Sequence, residues 1–277
     1  MRLGGDRFLE RGAAEGLADR LAAVTRRFER GLWIGAPASE GEPSGPVAPE
    51  IAPFAAHWTL AAFNEQEILA SPAPDSNAPF DVAVSLFSLQ TINDLPGALI
   101  QIRRLLKPDG LFLGALLGGA TLSQLREAFA YAESATRGGI SPRVAPFADV
   151  RDMGGLLQRA GFALPVSDVE RLTVRYGDFF ALVRDLRAHG MTNSLSERSR
   201  AVLRRDTLAA LLAHYAEHHA EDGKLLARFE TLYLTGWSPH DSQQQPLRPG
   251  SAKSRLAAAL GTEEQVISGS TTPKHRR

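Results

Sequence analysis

The segment Phe80-Asp81-Val82-Ala83-Val84-Ser85-Leu86 is short, almost continuously apolar and rich in valine, the pattern of a strand buried on both faces. Asn93 and Asp94 then offer helix caps, with Pro96 in the first turn and Leu99, Ile102, Leu105 and Leu106 spaced along one helical face. Lys107-Pro108-Asp109-Gly110 is expected to break that helix, and Leu111-Phe112-Leu113-Gly114-Ala115-Leu116 reads as a second buried strand. Strand, helix and strand alternate here at the spacing of a parallel crossover unit, which predicts an α/β fold with a largely parallel sheet.

The remaining segments extend that sheet. Leu17, Leu21, Val24 and Phe28 recur at helical spacing among charged residues, and Gly31-Leu32-Trp33-Ile34-Gly35 follows as a first strand. Residues 36–53 are crowded with Pro, Gly, Ser and Glu and read as loop, His57 to Phe63 as a second strand, and Pro72 to Pro79 as a further Pro-rich connection. Leu122 to Ala135 and Val150 to Ala160 have helical patterns, the latter stopped by Gly161. Leu164 to Tyr176 alternates as a strand, Phe179 to His189 and Arg200 to His219 are helical, and Leu225 to Trp237 returns to strand character. A helical insertion over about 177–220 between two late strands predicts that the last strand runs antiparallel beside the one before it. A single domain over 1–261 is expected, followed by a polar, disordered tail over 262–277.

Composition excludes several chemistries. Without cysteine there is no disulfide, thiolate zinc site, iron–sulfur ligation or cysteine nucleophile. Lys and Arg total 31 against 31 Asp and Glu, so no global field draws nucleic acid. The most apolar run, Leu111 to Leu122, is too short for a membrane span. A cytoplasmic location is expected, with peripheral attachment to the inner membrane only through a partner.

The Phe80–Ser85 and Leu106–Phe112 segments resemble the fourth and fifth strands of class I methyltransferases. Ser85 to Pro96, Gly118 to Arg126, Gly138 to Phe147, Thr235 to His240 and Pro249 to Lys253 are together similar to the mitochondrial complex I assembly factor five family, from about Ala13 to Gly261. The biotin-pathway carrier-protein methyltransferases share the shape more distantly. The resemblance implies a methyltransferase-type, Rossmann-like fold and a complex I maturation factor associated with arginine hydroxylation of a subunit.

The chain departs from that pattern where the cofactor loop begins. An Asp-Leu-Gly-Cys-Gly-like turn brings the backbone close to S-adenosylmethionine in the family, whereas this sequence reads Trp33-Ile34-Gly35-Ala36-Pro37. One glycine remains, the acid has become Trp33, and Pro37 lacks an N–H. The cofactor candidates that remain are Gly35, Glu65 (with Asn64 and Glu67 nearby), Ser85, Leu86 and Phe87. Weak or absent S-adenosylmethionine binding is expected, and iron is left open.

Loops at strand ends of an open α/β sheet border its ligand crevice. Gln90, Gly119, Thr121, Ser141, Arg143, Trp237 and His240 are therefore the substrate or partner candidates, on one expected rim formed by Leu86–Gln90, Gly118–Thr121, Ser141–Arg143 and Trp237–His240. The Gly118-Gly119 pair lacks the Gly-Lys-Ser/Thr of a phosphate loop and reads as a flexible exit from the fifth strand. His214-Tyr215-Ala216-Glu217-His218 matches a His-x-x-Glu-His pattern, with His219 next to it, but a solvated helix accounts for it and no metal is expected there. No catalytic residue is assigned. Three functions compete: an assembly-factor enzyme modifying an arginine of a complex I subunit, an S-adenosylmethionine-dependent methyltransferase acting on a small acid or carrier protein, and a non-catalytic chaperone.

Overall fold

The computed structural model describes residues 7–35, 46–63, 69–70, 79–193, 195 and 198–244. Ala36, Pro37, Glu65 with its neighbours Asn64 and Glu67, Pro249–Lys253 and the tail lie outside these residues. The described residues up to His240 belong to one compact unit.

Helix α1 (Phe8–Ala22) leads into β1 (Phe28–Gly35), followed by β2 (Ala55–Phe63) and β3 (Leu69–Ala70). Next come β4 (Phe80–Leu86), α2 (Leu95–Leu105) and β5 (Leu106–Leu117), then α3 (Ser123–Arg137) and α4 (Val150–Arg159). Strand β6 (Ala163–Tyr176), helices α5 (Phe179–Ala188) and α6 (Arg205–His218), β7 (Ala220–Glu221) and β8 (Lys224–Trp237) complete the unit. The sheet order is β3-β2-β1-β4-β5-β8-β6, with β7 paired to β8. Strands β2, β1, β4 and β5 are parallel. Strand β8 inserts antiparallel between β5 and β6, as the helical insertion predicted. This is the class I methyltransferase arrangement: an α/β Rossmann-like mixed sheet with a parallel centre, β3 antiparallel to β2 at one edge, and its last strand reversed.

Period-two alternation divides the core into layers. Leu32 and Ile34 face α2 and α4, packing with Ala83, Leu99, Ile102, Phe112, Met153 and Leu157. Trp33 faces the opposite side, with Leu17 and Leu21 of α1, Val82, Val84 and Tyr233. Gly16 lets α1 approach this layer, because a Cβ there would overlap the Tyr233 hydroxyl. Helices α3, α5 and α6 close a third cluster over the far half of β8, around Ala128, Leu182, Leu211, Tyr215 and Phe229.

Asp94 caps α2 as expected, its Oδ1 accepting from the Gly97 amide at 2.9 Å. The helix does stop ahead of Lys107–Gly110, but the next strand starts before those residues rather than at Leu111. Helix α2 ends at Leu105 and β5 starts at once, carrying those residues as a bulge between the Phe80–Leu106 and Val82–Leu111 pairs. Asp109 (φ 62°) takes up the extra length, and its amide donates to Ser238 O at 3.1 Å while Ser238 N donates to Gly110 O at 2.8 Å. Lys107 Nζ reaches Asp81 Oδ1 at 2.7 Å, and Asp81 Oδ2 accepts the Glu29 and Arg30 amides at 3.1 and 2.8 Å. Burial opposes ionisation of Asp81, but the lysine and the two amides outweigh it and hold the carboxyl below its ordinary range. The acid that opens β4 thus staples β1, β4 and β5 at their amino-terminal edge.

Candidate functional site

At the carboxyl edge of the parallel strands, Gly35 is level with Leu86, and Leu86 with Ala115. Ser88 Oγ lies 3.0 Å from Ile34 O and 2.6 Å from Ser85 Oγ, all of them buried. A carbonyl can only accept, so Ser88 donates to Ile34 and Ser85 donates to Ser88. Phe87 is held at φ 50° with its amide on Ala115 O at 2.9 Å, and Gln90 Oε1 accepts from Leu117 N at 3.1 Å. A bulky residue in the left-handed region costs on the order of 1–3 kcal/mol, so these bonds over-determine the turn after β4.

The turn after β5 is pinned rather than flexible. Gly118 N donates to Glu230 O at 2.8 Å, while Thr121 Oγ1 donates to Glu230 O at 3.1 Å and accepts Glu230 N at 3.0 Å. The Glu230 carboxylate takes Ala120 N at 3.3 Å on one oxygen and Arg171 Nε at 2.8 Å on the other. A Cβ at Gly118 would stand 2.5 Å from Glu230 Oε1, so glycine here answers a close approach and not a need for mobility.

Ser141 and Arg143 meet on an acid that the sequence did not single out. Glu133 of α3 is fully buried and accepts the Ser141 amide at 2.6 Å, the Ser141 hydroxyl at 2.7 Å and Arg143 Nε at 2.8 Å. Burial raises the pKa of Glu133, but the Ser141 bonds and the Arg143 charge prevail and keep it below the ordinary value. Arg143 therefore has one prong committed, whereas its buried Nη2 has no hydrogen-bond partner among the described residues.

Two cavities flank this arginine. A groove of about 580 Å³ is bordered by Gly119, Arg126, Phe129, Ile140, Ser141 and Arg143. A narrower one of about 120 Å³ is bordered by Gln90, Leu117, Leu122, Arg143, Met191 and Asn193. Asn193 Nδ2 donates to Pro142 O at 2.6 Å, and Arg126 fans its guanidinium over Gly119 O, Thr121 O and Ala145 O at 3.4 Å each. Met191 and Asn193 went unnoticed in the sequence because they follow α5 without a periodic pattern. Neither cavity is bordered by Gly35, Ser85, Leu86 or Phe87.

Trp237 and His240 are not on this rim. Strand β8 is antiparallel, so Trp237 pairs with Leu111, just past the bulge of β5, while Thr231 pairs with Leu117 at its end. Six residue steps separate those levels, roughly 20 Å along a strand. Trp237–His240 follows the Lys107–Gly110 bulge at the opposite edge. Gln90, Gly119, Thr121, Ser141 and Arg143 remain together.

This sheet, with its carboxyl-edge crevice, places the protein among the class I methyltransferase folds. The chain belongs to the methyltransferase-domain family, which it matches over residues 4–165. It is 43% identical over 185 residues to the arginine-hydroxylase NDUFAF5, mitochondrial, of Danio rerio, covering 66% of this chain and 57% of that one. The Homo sapiens counterpart is 42% identical over 195 residues, covering 70% and 55%. The malonyl-[acyl-carrier protein] O-methyltransferase of Laribacter hongkongensis (strain HLHK9) is 37% identical over 177 residues, covering 64% and 57%. The assembly-factor resemblance and the more distant one are thus both borne out, and the chain spans little more than half the length of these relatives. Among the described residues no helix is long and apolar enough to cross a membrane.

Proposed function

We propose that the protein is a respiratory complex I maturation factor that receives a segment of a subunit in the two cavities beside Arg143 and supports modification of an arginine in that segment. The observation that carries this reading is the buried, unpartnered Nη2 of Arg143 at the wall shared by both cavities. A buried donor without an acceptor is costly, and a backbone carbonyl or carboxylate of a bound segment would satisfy it. The 42–44% identity to arginine-hydroxylases supports the assignment of the modified residue. Deleting the gene and measuring complex I abundance and subunit masses tests the reading, with complementation by the wild type and by Met191→Glu, which crowds the narrower cavity without touching Glu133. Loss of complex I together with a missing mass increment on one subunit is expected. Loss of complex I without a mass change would assign gripping without chemistry. Normal complex I and unchanged masses in the deletion strain would end the proposal.

Under this reading the β1–β4 rim does not hold S-adenosylmethionine well. Trp33 is spent on the core, and Ile34 O, Ser85 and Ser88 bond one another instead of facing a ligand. The methyltransferase-domain match favours the second reading, methylation of a small acid or carrier protein. Calorimetric titration with S-adenosylmethionine separates the two: weak or absent heat is expected, and micromolar affinity would put methylation first.

A further inference from the structure

The His-x-x-Glu-His segment directs attention to His214 and His218 as a pair, but the structure makes a different set. His218 donates Nδ1–H to the His214 carbonyl at 3.1 Å and is about half exposed. His214 and His219 instead turn inward, their side chains 10% and 16% exposed, and meet Glu127 of α3. His214 Nε2 lies 3.5 Å from Glu127 Oε1, and His219 Nε2 lies 3.2 Å from Glu127 Oε2. One ligand atom from each of the three residues falls within 4.8 Å of the others.

Two further observations point to a ligand. Both Nε2 atoms are buried and have no hydrogen-bond partner among the described residues, although the carboxylate is within ion-pair reach. Both rings are also fixed in place. His214 is stacked between Tyr131 at 4.1 Å and His218 at 4.2 Å, and His219 meets Tyr215 edge-on at 5.5 Å. Tyr215 is itself fully buried and anchored through its hydroxyl to Leu226 O at 2.8 Å. Such support of ligand orientation is what a metal site needs beyond its ligands.

We propose that Glu127, His214 and His219 bind a divalent metal ion of zinc type, with His214 Nε2, His219 Nε2 and a Glu127 oxygen as protein ligands and water completing the shell. Two imidazoles and a carboxylate suit a borderline ion better than calcium or magnesium, which take all-oxygen sites. Ligand atoms at the usual 2.0–2.1 Å around a tetrahedral zinc stand about 3.4 Å apart, and each imidazole nitrogen lies near that separation from one of the two Glu127 oxygens, so a small rotation of the carboxylate brings one oxygen to both. Glu127 is more than half exposed, so the remaining position opens to solvent. The expectation that this helix carries no metal took its histidines for a solvated face, whereas His214 and His219 turn onto α3, which offers a third ligand. A bound ion would tie α3 to the end of α6 and the residue that leads into β7.

The test is a Zn²⁺ titration of the full chain, prepared without a histidine tag and stripped by chelator, with Co²⁺ absorption as an independent report on the ligand set. Wild type should bind one equivalent. Glu127→Gln, isosteric and exposed, and His219→Asn should each weaken Zn²⁺ binding by more than the roughly 100-fold that loss of an outer-shell partner can cost. His218→Phe keeps the stacking ring without its nitrogens and should bind like wild type, and far-ultraviolet circular dichroism checks that every variant is folded. The proposal is overturned if folded wild type takes up no Zn²⁺, if Glu127→Gln binds unchanged, or if His218→Phe abolishes binding while His219→Asn leaves it intact.

Discussion

Replacing Arg143 by Met removes the charge facing Glu133 while keeping the bulk of the stem. The pair is nearly dry, with side-chain exposures of 14% for the arginine and 1% for the glutamate, and the nitrogen–oxygen distance is 2.8 Å. Stranding one partner of a buried pair costs about 3–5 kcal/mol. Ser141 still donates twice to Glu133, and Arg137 remains at 3.4 Å, so the loss should fall to about 2–3 kcal/mol. For a unit of this size each kcal/mol moves Tm by roughly 2–4 °C, giving a drop of about 4–12 °C by calorimetry at neutral pH. In a Glu133→Gln background the same substitution should cost far less, with a coupling energy of about 2 kcal/mol. The pH dependence carries the opposite sign to that of a histidine. Because the folded pKa of Glu133 lies below its ordinary 4.5, the stabilisation is fully present above that value and disappears as pH falls through the folded pKa. The gap between wild type and Arg143→Met should therefore close in acid. A gap that persists there, or an equal cost in both backgrounds, refutes the ion-pair account.

Asp94→Ala removes the cap on the Gly97 amide and should cost about 1 kcal/mol, read by thermal unfolding, with Asp94→Ser recovering most of it. Gly118→Ala would place a methyl against the Glu230 carboxylate and should cost about 1–3 kcal/mol in denaturant titration. Asp81→Asn weakens the bonds to Lys107 and the two β1 amides and should cost about 1.5–3 kcal/mol. That deficit should vanish as pH falls below 3.8 through the lowered folded pKa.

The strands were legible because burial leaves few options. Phe80–Leu86 and Leu111–Leu116 are covered on both faces, and only an inner strand of a layered sheet needs such a run. The reversal of β8 followed from the two helices between it and β6. What escaped was any element whose neighbours are far away in the chain. Lys107–Gly110 ends the helix as its composition says, yet a cross-strand pair with Ser238 makes it part of β5 and not a turn ahead of it. The Gly118-Gly119 turn has a loose composition, and the residue that pins it, Glu230, arrives more than a hundred positions later.

The site was legible as segments and not as an assembly, since segment ends share a rim only if their strands share a direction. Gln90, Gly119, Thr121, Ser141 and Arg143 follow parallel strands or pack on them, whereas Trp237 closes the reversed strand and so falls at the other edge. The same reversal explains why the later rim stands independently of β1. Gly118, Ala120 and Thr121 hang on Glu230 of β8, and Ser141 and Arg143 hang on Glu133 of α3. The Ser88–Ile34 bond is what ties the turn after β4 back to the end of β1. The walls of the cavities beside Arg143 thus hang on β8 and α3 and not on the end of β1, so a change at Trp33–Gly35 need not disturb them.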